Sequence, residues 1–308
     1  MKKGNILCNG VFLFHIEEGG GMKRKMIIII SILCLLAFAF IYELYVSYYT
    51  LDVTSYHIES EKINEDVHIV MIGDVHDGHC QIKQKVIEQI EELKPDLILC
   101  VGDIIDDGSQ NDEDTLAFLK ALTEISDVYM SLGNHEIVYY QEHSQDFKHL
   151  SEIGVTLLEE EYVDITIHNQ KIRLGGMYNY AFSQMTGGIT KEDMNNSQTY
   201  QFLDDMTDTE SFQLMMAHRP DSFIFADANQ WNIDLVVSGH NHGGQVILPF
   251  IGGLYAPEEG FFPTYDYGLF QLNHMQMLIT RGISSSGEYL PRFNNPGEIV
   301  YITLKENT

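Results

Sequence analysis

The stretch LVVSGHNHGGQ, from Leu235 to Gln245, ends an apolar run with two histidines that stand two residues apart among glycines. The apolar residues predict a buried β-strand, and the change to Gly and His marks the point where that strand ends. Imidazole is a common metal ligand, so a strand end that carries two of them is a candidate metal site. We therefore interpret His240 and His242 as metal ligands on a turn that glycine permits.

Four other apolar runs end in the same way. They read IVMI-GDVH (69–76), LILCV-GD (97–103), VYMSL-GNHE (128–136) and QLMMA-H (213–218). Each motif alone is ordinary loop chemistry, but the carboxyl ends of strands in an open α/β sheet form the functional crevice, so the five are expected to converge. The side chains gathered there are two carboxylates, one amide and four imidazoles: Asp74, His76, Asp103, Asn134, His218, His240 and His242.

This mixture of nitrogen and oxygen ligands suits Mn, Fe or Zn, and it contains no thiolate. Seven ligands are too many for one ion, so we predict two divalent ions that share a carboxylate. In the D-x-H and H-x-H pairs, side chains two residues apart point the same way on an extended chain, so each pair can serve one cluster. The glycines at the strand ends are expected to let the backbone turn sharply; they are Gly73, Gly102, Gly133 and Gly239.

From about Val67 onward, short apolar runs alternate with helical stretches. Strands are predicted at 67–72, 97–101 and 128–132, with helices at 83–94 and about 112–124 between them. This βαβα order predicts an α/β domain with a partly parallel sheet. Short turns later in the chain predict additional antiparallel pairing among strands at 162–168, 171–176, 212–218, 233–239, 275–282 and 298–304.

The N-terminal part carries an apolar run at 26–42, directly after the basic residues 23–25. The run is long enough to span a bilayer, and the basic residues on its N-terminal side place the short tail in the cytoplasm. We predict an uncleaved signal anchor at 26–45, so that the rest of the chain is extracytoplasmic. Cleavage at the A-x-A site 37–39 is the alternative.

The predicted division of the chain is a cytoplasmic tail at 1–25, a transmembrane anchor at 26–45, a connector at 46–66 and one compact domain at 67–308. The tail contains Glu-Glu-Gly-Gly-Gly at 17–21, which purine-rich codons would encode just before Met22. We hypothesise that translation starts at Met22 and that residues 1–21 are not translated. N-terminal sequencing of the native protein distinguishes this from a start at Met1.

Composition restricts the partners. Eighteen basic residues against 45 acidic ones give a net charge of −27, which argues against nucleic acid and against simple adhesion to anionic lipid. Four scattered cysteines are too few for a disulfide framework. Some of the acidic residues are available as cation ligands, so their positions matter more than their number.

The motifs GDVH, GDIID, GNHE, a single His and GHNH, in this order, resemble those of the calcineurin-like metallophosphoesterases. The resemblance extends over roughly Val67 to Leu304, and the stretch GGQVILPFIGGLYAPEEGFF (243–262) is similar to the membrane-anchored bacterial branch of that superfamily. It implies a four-layer α/β/β/α sandwich with a two-metal site between strand ends. One N-terminal transmembrane helix precedes the sandwich in this chain.

The resemblance also assigns the metal ligands by motif. The ligands of the first ion would be Asp74, His76 and His242. Those of the second ion would be Asn134, His218 and His240. Asp103 would bridge the two ions.

The catalytic roles follow from the same motifs. His135 of GNHE matches the family's catalytic histidine, and Asp106 of GDIID matches the acid that orients it. Asp107 stands where the Ser/Thr protein phosphatases of the family have an Arg that binds phosphate, which argues against that activity. As an alternative role, His135 is a further metal ligand or a structural hydrogen-bonding group.

The expected function is hydrolysis of phosphoric esters, whether diester, monoester or pyrophosphate, at the outer face of a bacterial membrane. Two neighbouring cations would share a water, lower its pKa toward about 7 and so supply hydroxide. The substrate class is a phosphorylated small molecule, lipid or cell-wall polymer. Four aromatic residues are candidates for contact with the substrate. The alternative is that they pack in the core or face the membrane. They are Tyr255, Phe261, Phe262 and Tyr265. The alternative function is a noncatalytic membrane-anchored scaffold with the same fold.

Overall fold

The computed structural model describes residues 19–143, 147–177, 198–224, 231–285 and 290–307. The chain divides into two units, Met1–Glu43 and Leu44–Thr308. Helix α1 spans Gly19–Tyr49. Among the described residues one helix, Lys23–Tyr49, is long and apolar enough to cross a membrane. This candidate span includes the predicted anchor, whereas residues 1–18 of the predicted tail lie outside the described residues.

The first sheet of the second unit has six strands, bounded as β1 (Leu51–Ser60), β2 (Val67–Ile72), β3 (Leu97–Val101), β4 (Val128–Ser131), β5 (Val155–Leu157) and β16 (Gly297–Glu306). Their spatial order is β1-β16-β2-β3-β4-β5. Strands β2 to β5 run parallel, whereas β16 is antiparallel to β2 and parallel to β1. The predicted βαβα order thus produces the parallel half of this sheet.

The second sheet also has six strands, bounded as β6 (Glu161–Ile167), β7 (Gln170–Met177), β8 (Phe212–Ala217), β9 (Leu235–Ser238), β14 (Gly268–Leu272) and β15 (Met275–Ile279). Their order is β14-β15-β9-β8-β7-β6, with four parallel strands between antiparallel outer strands. Two small hairpins precede β14; they pair β10 (Ile247–Leu248) with β11 (Gly252–Gly253), and β12 (Tyr255–Ala256) with β13 (Gly260–Phe261).

Helices cover the outer faces of the two sheets. Their bounds are α2 (Cys80–Leu93), α3 (Glu113–Thr123), α4 (Asn134–Glu142), α5 (Lys148–Glu152), α6 (Gln198–Thr207) and α7 (Asp221–Ile224). Successive side chains of β2 point to opposite faces of the first sheet, so each face packs in a different core. Ile69 and Met71 join the core between the sheets, while Val70 and Ile72 join the core under α2 and α3. A third core packs α6 against the second sheet, which completes the α/β/β/α sandwich.

One predicted boundary needs correction. Residues 46–66, predicted as a connector, contain β1, which pairs with all ten residues of β16 from Leu51 to Ser60. The segment therefore belongs to the folded unit. Its apolar signal is weak because β1 is an edge strand in which only Ile58 is fully buried.

A buried arginine, Arg292, holds loop residues together through hydrogen bonds to their backbone carbonyls. Arg292 is 0% exposed, and its guanidinium donates to the backbone carbonyls of Arg281, Gly282, Ser284 and Asn295. Burial lowers the pKa of Arg292 to about 10, so the side chain stays charged at neutral pH. A single planar fork thus joins the stretch 281–284 to the stretch around Asn295.

We predict that Arg292→Gln lowers the free energy of unfolding by several kcal/mol, because each buried carbonyl left without a donor costs about 1–3 kcal/mol. Denaturant unfolding can be followed through Trp231, the single and buried tryptophan. The control is Lys305→Gln on the surface, where an exposed ion pair with Glu59 is worth about 1 kcal/mol or less. Equal stability losses in the two variants would contradict the role given to Arg292.

Candidate active site

Five strand ends bring the predicted residues together where the two sheets meet. Asp74 and His76 follow β2, Asp103 follows β3, and Asn134 with His135 begins α4 directly after β4. From the second sheet, His218 follows β8, and His240 and His242 follow β9. Two groups have ligand atoms within 4.8 Å of one another: Asp74, His76 and His242 form the first, and Asp103, His218 and His240 the second.

Asp103 and His76 connect these two groups. His76, Asp103 and His135 also form a cluster within 4.8 Å, so Asp103 lies near ligand atoms on both sides. Its Oδ2 is 3.0 Å from His218 Nε2 and 3.9 Å from His76 Nε2. Asp103 therefore lies between the two groups of predicted ligands.

The backbone at the site differs from the expected extended conformation. Asp74, His76, Asp103, His240 and His242 all have φ between 45° and 71°, in the left-handed region. The D-x-H and H-x-H pairs are therefore not extended, contrary to the prediction, although the same residues do converge. Left-handed non-glycine residues are strained, and such strain persists where surrounding contacts fix it, commonly at functional sites.

At Gly133 and Gly239 the missing Cβ provides space for neighbouring side chains, and no left-handed backbone conformation is needed there. Gly133 has φ −106°, which any residue adopts, yet a Cβ there would overlap Asp103 Oδ1. A Cβ on Gly239 would lie 2.7 Å from Asp74 Oδ2. The backbone must come this close for the two carboxylates to reach the centre of the site.

Backbone carbonyls fix the tautomers of two imidazoles. Nδ1 of His218 is 2.8 Å from the carbonyl oxygen of Val101, and Nδ1 of His242 is 3.1 Å from that of Ser284. A carbonyl only accepts, so each Nδ1 carries the hydrogen and each Nε2 keeps its lone pair for a metal. The Nε2 atom of His242 is 3.8 Å from Asp74 Oδ1.

The charges at the site are strongly coupled. Burial acts to raise the pKa of Asp103, but the imidazoles around it, above all His218, hold that pKa well below its ordinary value. Burial opposes protonation of His218, yet the Asp103 carboxylate raises the pKa of His218 to about 9. A proton shared in this pair is what a bound cation would replace.

Two further predicted ligands have buried atoms without a hydrogen-bond partner within the described part of the chain. They are both ring nitrogens of His76 and the amide oxygen Oδ1 of Asn134. Buried polar atoms that lack a partner cost free energy and call for an explanation such as an ion. Together with the oxygen and nitrogen donor set, they fit divalent cations at this site.

His135 lies at the edge of the cluster, with its side chain 17% exposed. Its ring packs edge-on against His76 at 4.5 Å, and its Nε2 is 4.0 Å from Asp103 Oδ2. The predicted partner Asp106 has Oδ2 3.7 Å from His135 Nδ1, beyond hydrogen-bond distance. The Nδ1 atom accepts instead from the backbone N–H of Asp107 at 3.2 Å. That bond leaves Nε2 as the atom that carries the proton of a neutral ring.

Sequence reasoning missed Glu136, the last residue of GNHE. Its carboxylate is buried and accepts from the backbone N–H groups of Gly133, Asp103, Ile104 and Ile105. Burial and the nearby Asp103 raise the pKa of Glu136 above its ordinary value. Glu136 therefore joins the loop after β3 to the loop after β4. Its position beside His135 was the available signal.

A second missed residue is Glu258, which lies inside the stretch 243–262. Its Oε2 is 2.9 Å from Nε2 of His240, and its Oε1 accepts from Arg219, which also pairs with Asp221. With Nε2 donating to Glu258, Nδ1 is the ring atom of His240 left for a metal. Sequence spacing could not reveal this contact, because 18 residues separate the two side chains.

The four candidate aromatic residues are distributed between different surroundings. Tyr265 packs against the core of the second sheet, and its backbone carbonyl accepts from Asn241 between the two ligand histidines. Tyr255 and Phe261 have ring centroids 5.3 Å apart across the β12–β13 hairpin. Phe261 and Phe262 are exposed.

Comparison with known proteins agrees with this geometry. Residues 67–244 match the family model described as calcineurin-like phosphoesterase. An uncharacterized metallophosphoesterase of Campylobacter jejuni is 29% identical over 83% of this chain and 64% of the relative, so the chain spans less than two thirds of that protein. A metallophosphoesterase of Aquifex aeolicus is 27% identical over 83% of this chain and 93% of its own. The phosphodiesterase YaeI of Escherichia coli is 28% identical over 69% of this chain and 72% of its own.

This chain belongs to the calcineurin-like phosphoesterase family. The members of this family are named for phosphoester hydrolysis, and the family implies divalent metal cofactors, for which clustered side chains are present.

We predict that Glu136→Gln lowers both metal content and stability. A glutamine must turn its NH₂ group toward backbone N–H donors, which costs about 1–3 kcal/mol for each group left without an acceptor. Elemental analysis of the purified protein and denaturant unfolding measure the two effects. Glu142→Gln, exposed on the same helix, is the control and should leave both unchanged. Parent-like metal content and stability in Glu136→Gln would show that this carboxylate does not hold the loops.

Proposed function

We propose that this chain is a dinuclear, metal-dependent phosphodiesterase that acts at the outer face of a bacterial membrane on an envelope or lipid-linked phosphoester. The observation that supports it most directly is the pair of three-residue clusters, with Asp103 near the ligand atoms of both. Asp74, His76 and His242 would hold one cation. Asn134, His218 and His240 would hold the other, and Asp103 would contact both.

When bound, two divalent cations would supply Lewis acidity and a hydroxide nucleophile near neutral pH. They would also offset the negative charge that a chain of net charge −27 presents to an anionic substrate. Mn, Fe and Zn all suit this donor set. The protein's own task is to hold the ligands in place, which Glu136, Glu258 and the backbone carbonyls of Val101 and Ser284 accomplish.

His135 is the proposed proton donor to the leaving oxygen. It is more exposed than the ligands around it, and its Nε2 lies on the side of Asp103. Asp106 and Asp107 place carboxylate oxygens 3.7 and 3.4 Å from Nδ1, where their proposed task is to position the ring. Proton donation of this kind is worth about 10²- to 10⁴-fold in rate.

Two observations favour a diester over a phosphoprotein substrate. Asp107 occupies the position after GDIID where a phosphate-binding arginine would stand in a protein phosphatase, and it is exposed beside His135. The relative YaeI is described as a phosphodiesterase. A diester carries one negative charge fewer than a monoester, so it is less repelled by this acidic surface.

The membrane location rests on α1. The candidate span Lys23–Tyr49 has basic residues only at its N-terminal end, which by the positive-inside rule places the phosphoesterase domain outside the cytoplasm. A cleaved signal peptide is the alternative, and the apparent mass of the mature native protein separates the two.

We predict that His135→Ala retains the bound metals but turns over a diester about 10²- to 10⁴-fold more slowly, because the proton donor is lost while the ligands remain. Asp103→Asn should lose both metal and activity, because a neutral amide replaces the central carboxylate. Metal analysis and rates on the same preparations decide this. His57→Ala on the exposed edge strand β1 is the control. A metal-free His135→Ala protein would identify His135 as a ligand.

We also predict that bis-p-nitrophenyl phosphate is hydrolysed faster than p-nitrophenyl phosphate when Mn, Fe or Zn is supplied. Removal of metal with a chelator should abolish both activities, and metal should restore them. Faster hydrolysis of the monoester would make the chain a phosphomonoesterase. No hydrolysis of either ester with any of these metals would favour the alternative, a noncatalytic membrane-anchored scaffold.

A further inference from the structure

The insertion that follows the H-x-H turn carries an unusual surface. We use "insertion" for residues 245–262, which contain both small hairpins. Four of its large apolar side chains are exposed, and Phe250 at the tip of the first hairpin is as exposed as in an open chain, at 108%. Single exposed apolar residues are common, but a group of large ones marks an interaction site. The group consists of Phe250, Ile251, Phe261 and Phe262.

Backbone hydrogen bonds hold the two exposed pairs near each other. The first hairpin pairs Leu248 with Gly252, so Phe250 and Ile251 lie in its turn. The backbone N–H of Phe262 donates to the carbonyl of Leu254 at 2.8 Å. Leu254 is three residues from Ile251, a reach of about 10 Å in extended chain. The insertion therefore carries two exposed apolar pairs on one hydrogen-bonded frame.

Residues 292–295 link the base of the insertion to the end of the candidate membrane span. Ile247 donates its N–H to the carbonyl of Phe293 at 3.0 Å, and its own carbonyl accepts from Asn294. The neighbouring residue Arg292 donates its backbone N–H to the hydroxyl of Tyr48 at 3.2 Å. Asn295 donates its backbone N–H to Ser47 Oγ at 3.1 Å. Ser47 and Tyr48 belong to the last turn of α1.

This last turn has the character of a membrane–water boundary. Tyr45 and Tyr49 stack with ring centroids 5.2 Å apart, and tyrosines are enriched where a membrane helix leaves the hydrocarbon. A chain of hydrogen bonds thus leads from that boundary through residues 292–295 to the insertion. The tip at Phe250 is only three residues beyond Ile247.

We propose that the insertion dips its apolar tip into the interface of the bilayer that holds α1, so that the domain has a second membrane contact beside the metal site. Phe250, Ile251, Phe261 and Phe262 are the inserting side chains. This inference depends on the membrane location proposed above, but it does not depend on hydrolysis.

Charge and chemistry favour lipid as the occupant. The chain is strongly acidic, so attraction to anionic headgroups does not drive the contact, and burial of aromatic and aliphatic side chains does. The same insertion reaches the site through Glu258, which contacts His240. Phosphoesters at the bilayer surface would then lie close to the ligands, whereas a soluble ester gains nothing from this arrangement.

The test uses the full chain reconstituted in phosphatidylcholine vesicles and the variant Phe250→Trp. The parent has one tryptophan, Trp231, which is buried. Subtracting the parent's emission spectrum from that of the variant therefore gives the emission of the tryptophan at position 250. The matched control is Tyr162→Trp on the edge strand β6, an exposed aromatic position outside the insertion. Acyl chains brominated near the headgroup quench a tryptophan that enters the interface.

We expect blue-shifted emission and strong quenching by brominated lipid for Phe250→Trp, with neither for Tyr162→Trp. Equal, water-like emission from both variants in protein that floats with vesicles would overturn the proposal. A blue shift without bromine quenching would overturn it too and indicate contact with a second copy or another protein. Failure to float with vesicles would reject the membrane location itself. Turnover of bis-p-nitrophenyl phosphate by the same samples reports separately on the proposed hydrolase function.

Discussion

The arrangement of the site depends on one buried carboxylate between two sheets. Asp103 leaves the first sheet and meets His218 of the second at 3.0 Å, while its Oδ1 accepts from the backbone N–H of His135. An ion pair in such a dry position is costly unless further hydrogen bonds and a cation compensate it. The backbone N–H groups of the same loop are taken by Glu136, so the loop cannot relax without exposing several buried groups at once.

Residues around this carboxylate have strained backbone conformations, which fix the positions of the predicted ligands. Several ligand residues have left-handed backbone conformations, and adjacent glycines are small enough for the carboxylates to fit. Surrounding hydrogen bonds maintain such conformations. The carbonyls of Val101 and Ser284 accept from two imidazoles, and the Ser284 carbonyl also accepts from Arg292. Protein contacts alone therefore hold the predicted ligands in place, as the outer contacts of a metal site commonly do.

The insertion after the H-x-H turn connects this centre with the outside of the domain. Glu258 orients His240 from within it, and its base reaches the end of α1 through residues 292–295. A site built on strand ends is rigid, whereas loops between them determine which molecules come near. In this chain one loop supplies both a contact to a proposed ligand and the most exposed aromatic side chain of the folded unit among the described residues.

Four features could be predicted from the amino-acid sequence: the α/β class, the strands that end at the site, the residues that converge there and the apolar helix. These features are local, because hydrophobic periodicity and the change from apolar residues to Gly, Asp, Asn and His are visible within short windows. Other features became visible only in the folded chain: the left-handed backbone at the predicted ligands, the membership of β1 in the first sheet, and the contacts of Glu136, Glu258 and Arg292. Each of these arises from groups brought together across long stretches of chain, and buried hydrogen bonds between distant segments leave no periodic pattern in a sequence.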